Sequence, residues 1–123
     1  PYQWASIRQS VVCMTPPYLG DILCAALAAC LDSSVRMVAN FLGVELEFLE
    51  VDVTADVDVR GAMAVDQKVP VGFQTMRCNV RFCAKDGTNP GHIETLRVGA
   101  EHCCIVLQTL RNPPPVETTF EMS

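Results

Sequence analysis

A chain of 123 residues, half of them hydrophobic, is long enough for a single domain with one core and too apolar for a disordered segment. Its formal charge of −5, from 14 acidic and 9 basic residues, argues against a nucleic-acid or anionic-membrane surface. The longest apolar run, ILCAALAACL from Ile22 to Leu31, is well short of the roughly 18 residues that mark a membrane span, and PYQWASIRQS lacks the apolar segment of a signal peptide.

In chain order, ASIRQSVVCM (5–14) has the β-branched content of one strand, and TPP (15–17) breaks it. From about Leu19 to Leu42 the period becomes helical. Leu23, Leu27, Cys30, Ser34, Met37 and Phe41 fall at three- and four-residue steps, which predicts one buried stripe. Gly43 suits the position that ends a helix. Such a helix is about 33 Å long. Ala25, Ala26, Ala28 and Ala29 make its first half slim, so that another backbone, such as a second copy of the same helix, can lie close.

The next segment, VELEFLEVDVTADVDVRG (44–61), alternates apolar and polar residues from Leu49 to Arg60 and predicts a half-buried strand with an acidic wet face. AVDQKVPVG (64–72) reads as a loop. FQTMRCNVRFCAK (73–85) alternates again, with Met76, Cys78, Val80 and Phe82 toward the core and Arg77 and Arg81 on a solvated face. Cys78 is therefore expected to be buried and inert, and Cys83 exposed. Asn89 and Pro90 open a second helix that the period carries to Leu110, where NPPP (112–115) stops it. VETTFEM (116–122) reads as a last short strand. The order of elements predicts an α+β fold, helices packed on a sheet, in a single domain over 1–123.

Seven cysteines are present: Cys13, Cys24, Cys30, Cys78, Cys83, Cys103 and Cys104. None forms a CxxC pair, and His92 and His102 stand apart from any such pair, so no metal site is expected. With an ample core the chain needs no disulfide scaffold, and reduced thiols in a cytoplasmic protein are the expectation. Read from its own surroundings, Cys30 is a core residue on an apolar stripe. Cys24, about 240° around the helix from Cys30, reads as packing. His102, two residues from Cys104, reads as a surface histidine or a base.

Two cysteine-bearing segments change the weight of these readings. ILCAALAACLDSSVRMVANFLGVELEFLEVDVTADVDVRG resembles the central helix and following strand of the OsmC/Ohr family, where a helix ending AAxxAC carries a cysteine. VGFQTMRCNVRF resembles its vPxGFxxIrvxvr strand, and AEHCCIVLQTLRNPPPVE its AExxCPVLdTLrnpvpV segment. The likeness covers about residues 19–119. It implies a two-layer fold with a long central helix on an antiparallel sheet, an intertwined homodimer, and a reductase of organic hydroperoxides. The peroxidatic cysteine falls on Cys30 and the resolving cysteine on Cys104. An external dithiol serves as reductant and no bound cofactor is needed.

The family lowers the thiol pKa with an arginine held by a glutamate ten residues before the cysteine. Here that position is Gly20. Asp21 is the nearest carboxylate, and Arg8 is the one arginine of the N-terminal stretch; these two are the candidates for the activating pair. Ten residues of helix span about 15 Å, so such a carboxylate serves a cysteine on an antiparallel neighbour. Leu27, Leu31, Phe41 and Phe73 are the expected apolar lining. The alternative is an OsmC-like dimer that binds a small apolar ligand in the same pocket without turnover.

Overall fold

The structure, a computed structural model, describes the backbone of residues 7–11 and the whole of residues 20–123. The break expected at TPP and the position of Cys13 lie outside the described residues. The elements run β1 (Ile7–Val11), α1 (Asp21–Leu42), β2 (Leu46–Asp56), α2 (Val59–Ala62), β3 (Thr75–Ala84), α3 (Pro90–Cys103) and α4 (Ile105–Arg111).

Gly43 ends α1 as its sequence implies. It sits at φ +73°, a conformation open to glycine at no steric cost, and its N–H closes onto the Ala39 and Asn40 carbonyls. The buried arc of α1 differs from the predicted stripe. Cys24, Leu27, Ala28, Leu31, Val35 and Ala39 are buried, whereas Leu23, Met37 and Phe41 are exposed. The arc is turned by about 100°, one residue, around the helix. Both sides of α1 are apolar, so periodicity cannot choose between them and packing does. By length and composition α1 would also suit a bilayer. In this fold its inner arc lies in the same apolar cluster as Val51, Val53, Leu96 and Leu107.

β2 is shorter than the alternation suggests. Asp58 accepts a hydrogen bond from the Arg60 N–H at 3.0 Å and starts the single turn of α2, so Val57 and Val59 leave the ladder. β2 pairs antiparallel with β3, while β1 lies parallel to β2, so the sheet, in order β1-β2-β3, is mixed. The parallel pair follows from α1, which carries the chain back across the sheet between them. Leu49, Val51, Val53 and Ala55 are buried beneath the helices and pair with Phe82, Val80, Cys78 and Met76. On the other face the acidic row is met by arginines. Arg81 pairs with Glu50, and with Asp52 at 3.6 Å; Arg77 pairs with Asp56 at 3.5 Å. Glu50 is buried in that pairing, so the acidic row is less wet than its sequence implies.

Asn89 caps α3 by accepting the Gly91 N–H at 2.8 Å, with Pro90 at its first position. The helix does not run on to Leu110. The backbone turns extended at Cys104 (ψ 107°) and restarts as α4. The expected strand at 116–122 is absent: residues 112–123 are irregular and largely exposed.

Candidate functional site

The break at Cys104 faces the middle of α1. Cys30 is half-buried there, Cys104 is fully buried, and the two thiols are neighbours, Cys30 being among the groups that raise the Cys104 pKa. One turn along α1, the Ser34 hydroxyl donates to the Ala100 carbonyl at 2.6 Å. Ser34 lies four residues after Cys30, and Ala100 four before Cys104. The two contacts therefore set α1 and α3 antiparallel and fix the turn at which the cysteines meet. The break in turn takes Cys104 out of the helical repeat and aims it at α1.

Burial pushes the Cys104 thiol up to about 11. The backbone N–H of Leu107 opposes this shift, the hydrogen bond and charge of Cys30 add to it, and the Val106 N–H opposes it. Cys104 thus keeps its proton well above neutral pH. Cys24 is sealed in the core and its thiol is also pushed up, first by burial and then by the charges of Asp21 and Cys78.

The residues named for activation lie apart from this pair. Asp21 is half-buried in the first turn of α1, about 14 Å along the helix from Cys30. Arg8 stands opposite Asp52 in the β1–β2 register, and its side chain lies outside the described residues. Gly20 is covered by the ring of Phe73: a Cβ built there would sit 2.1 Å from Phe73 Cζ. An aromatic ring therefore fills the space that a side chain at position 20 would enter.

Of the expected lining, Leu27 and Leu31 are buried and Phe73 is half-buried, but Phe41 is 89% exposed near the far end of α1, beyond the reach of the packed helices. Cys78 also departs from expectation. It lies on the helix-facing side of β3 yet is exposed, because β3 is the edge of the sheet among the described residues and the helices do not close over it. Cys83, Cys103 and His102 are exposed.

Besides Glu50, two buried polar residues, Ser34 and Asp32, escaped the sequence reading. Ser34 was legible only as a member of the apolar stripe. Asp32 is 1% exposed and accepts from Arg36 at 2.8 Å; the signal for that pair was its i,i+4 spacing.

A family model described as OsmC-like protein matches residues 16–119 of this chain. Among solved structures, the crystal structure of an OsmC-like protein from Mycoplasma pneumoniae superposes with a TM-score of 0.61 at 15% sequence identity. The match covers 76% of this chain and 61% of that one, so the chain spans about three-fifths of that relative's length. At this identity the likeness is one of fold. None of the curated proteins matches.

Proposed function

The chain belongs to the OsmC-like family, and on that premise we propose that it is a thiol-dependent peroxidase of organic hydroperoxides. The observation that supports this reading is the contact between the Cys30 and Cys104 thiols at the α1–α4 junction. Access divides their roles. Cys30 is half-buried and open to a substrate; Cys104 is sealed and holds its proton.

The Cys30 thiolate attacks one oxygen of the hydroperoxide. The S–O bond forms as the O–O bond breaks, the hydroxyl stays on sulfur to give the Cys30 sulfenic acid, and the alkoxide leaves and takes a proton from water to become the alcohol. That step removes the negative charge beside Cys104, one of the causes that raise its pKa, while the Leu107 and Val106 N–H groups remain to favour its thiolate. Cys104 then attacks the Cys30 sulfur, a disulfide forms and water leaves. An external dithiol returns both thiols by exchange and is itself oxidised to a disulfide.

Leu23, Met37 and Phe41, left exposed outside the buried arc of α1, support a homodimer built on this helix. In that arrangement Asp21 and Arg8 are the proposed activating pair, acting across the interface. The unbridged thiols suit a reducing, cytoplasmic setting. Phe73 over Gly20 favours a second reading, in which the activating carboxylate is lost and the pocket holds a small apolar ligand without turnover.

One experiment separates the two. Reduced protein is treated with one equivalent of cumene hydroperoxide and its peptides are mapped. The peroxidase loses two thiols as a Cys30–Cys104 link, and Cys30→Ser stops peroxide consumption. Unchanged thiols support the ligand-binding reading. Oxidation scattered over exposed Cys78, Cys83 and Cys103 would sink the assignment of Cys30.

A further inference from the structure

Three thiols gather at the break between α3 and α4, and the proposed reaction uses two of them. Cys104 is buried and Cys30 half-buried, while Cys103, one peptide bond before Cys104, is exposed. Within a helix, successive side chains diverge by about 100° around the axis, which keeps adjacent thiols apart. Cys103 and Cys104 are released from that constraint. Cys103 is the last residue of α3, and Cys104 leaves the helix at φ −79° and ψ 107° before α4 restarts at Ile105. The pair straddles the point between Pro90 and Arg111 where the backbone drops the helical repeat.

A disulfide between Cys30 and Cys104 is hard to reopen from outside. Reduction needs a thiolate that attacks one sulfur and expels the other, and its rate depends on access and on the leaving thiol's pKa. Attack on the half-open Cys30 sulfur expels Cys104, whose thiol is pushed up to about 11 by burial and therefore leaves slowly. Attack on the Cys104 sulfur expels Cys30 toward the open side of the pair, but Cys104 is 0% exposed, so an external reagent does not reach it. Cys103 needs no entry path. It is tethered to Cys104 by one peptide unit, which turns a bimolecular attack into an intramolecular one.

We propose that Cys103 is a relay thiol that reopens the Cys30–Cys104 disulfide from within and presents the bond at the surface. The relay rests on the peroxidase reading, in which that disulfide forms. Cys103 first gives its proton to solvent. Its thiolate attacks the Cys104 sulfur, a Cys103–Cys104 bond forms, the Cys30–Cys104 bond breaks, and Cys30 leaves as the thiolate that the next peroxide needs. One disulfide bond is exchanged for another and no electrons leave the protein. An external dithiol then attacks the exposed Cys103 sulfur and closes to its own disulfide, returning Cys103 and Cys104 as thiols. Consecutive Cα atoms lie about 3.8 Å apart, under the roughly 4.4–6.8 Å of ordinary disulfides, so the bond between neighbours is strained and readily reduced. That strain offsets the slow departure of Cys104, an advantage the Cys30–Cys104 bond lacks. It also keeps the vicinal bond scarce, so the external dithiol drains it as it forms.

The test uses chains in which the exposed Cys78 and Cys83 are serine, so that these thiols do not compete. Diamide, which joins thiols without peroxide chemistry, makes the Cys30–Cys104 bond, and dithiothreitol reduces it. Cys103→Ser is expected to slow the release of Cys30 about tenfold, a modest share of what tethering adds to a thiol's effective concentration. The chain with Cys103 intact, quenched partway with an alkylating agent, is expected to yield a Val98–Arg111 peptide with Cys103 joined to Cys104 and Cys30 alkylated. Formation of the Cys30–Cys104 bond, which does not use Cys103, is expected at the same rate in both chains. Equal rates of reduction overturn the relay. So does a slowing of formation and reduction alike, which would mean that Cys103 only shapes the break. The peroxidase reading fails by a different sign: cumene hydroperoxide leaves unlinked the thiols that diamide joins. That result ends the relay with it, whereas equal rates of reduction end the relay alone.

Discussion

Cys104 and Cys78 both lie where apolar periodicity puts a core residue, and they meet opposite fates. Cys104 is sealed where α1, α3 and α4 converge; Cys78 faces the same helix layer from the last strand of the sheet and stays open. The difference lies in what stands beside each. Periodicity tells which way a side chain points. Whether anything covers it depends on neighbouring elements that the local sequence does not encode.

Paired substitutions measure that difference. Leu27 is buried in the sealed region, 1% exposed, beneath the crossing helices. Leu27→Ala is expected to cost about 3 kcal/mol, the transfer of the side chain plus the cavity it leaves. Cys78→Ala at the open edge is expected to cost less than about 0.5 kcal/mol. Urea unfolding of the two variants at dilute concentration reads both. Equal costs would mean that the edge is as tightly packed as the junction.

The same contrast explains what the sequence could show. The C-terminal end of α1 and the start of α3 were legible because Gly43, Asn89 and Pro90 act through their own backbone. The faces of β2 and β3 were legible because a period of two leaves no choice. The side of α1 that packs was not, since alanine and leucine surround its first half and only the neighbours decide. The break at Cys104 was not either: Leu96, Ala100 and Leu107 keep a helical step straight across it, and no proline or glycine marks the spot. The resemblance singled out Cys30 and Cys104, and the structure makes them neighbours. It does not bring Asp21 to them. The Ser34–Ala100 tie that sets their meeting depends on two elements 66 residues apart, which no local pattern reports.

A second comparison uses protons. The Cys104 thiol is held up to about 11, against an ordinary value of 9.0. A group whose folded pKa is raised contributes its full stability below the unfolded value and loses it as pH rises through the folded one. Unfolding free energy should therefore hold between pH 7 and 8 and fall from about pH 9 to 11, by about 2 kcal/mol for this group at 1.36 kcal/mol per unit. Cys24, also pushed up by burial, adds to the slope. Cys104→Ser should remove the Cys104 share and leave the rest. An unchanged slope would mean that burial does not hold this proton.

The smallest contrast is between two hydroxyls. Ser34 donates to the Ala100 carbonyl inside the junction, and Thr75 donates to Asp56 at 2.5 Å on the exposed edge. Ser34→Ala leaves a buried acceptor one bond short and is expected to cost about 1–2 kcal/mol. Thr75→Val returns an exposed carboxylate to water and should change stability by less than about 0.5 kcal/mol. Stability alone would treat Ser34 as one more buried bond, so the discriminating measurement is the rate at which peroxide-treated protein forms the Cys30–Cys104 link. If Ser34 sets the turn at which α1 meets the break, Ser34→Ala slows that link, while Ser34→Thr, which keeps the hydroxyl, restores much of the rate. Equal rates in parent and Ser34→Ala would show that the packing of Leu27, Leu96 and Leu107 alone holds the two thiols in place.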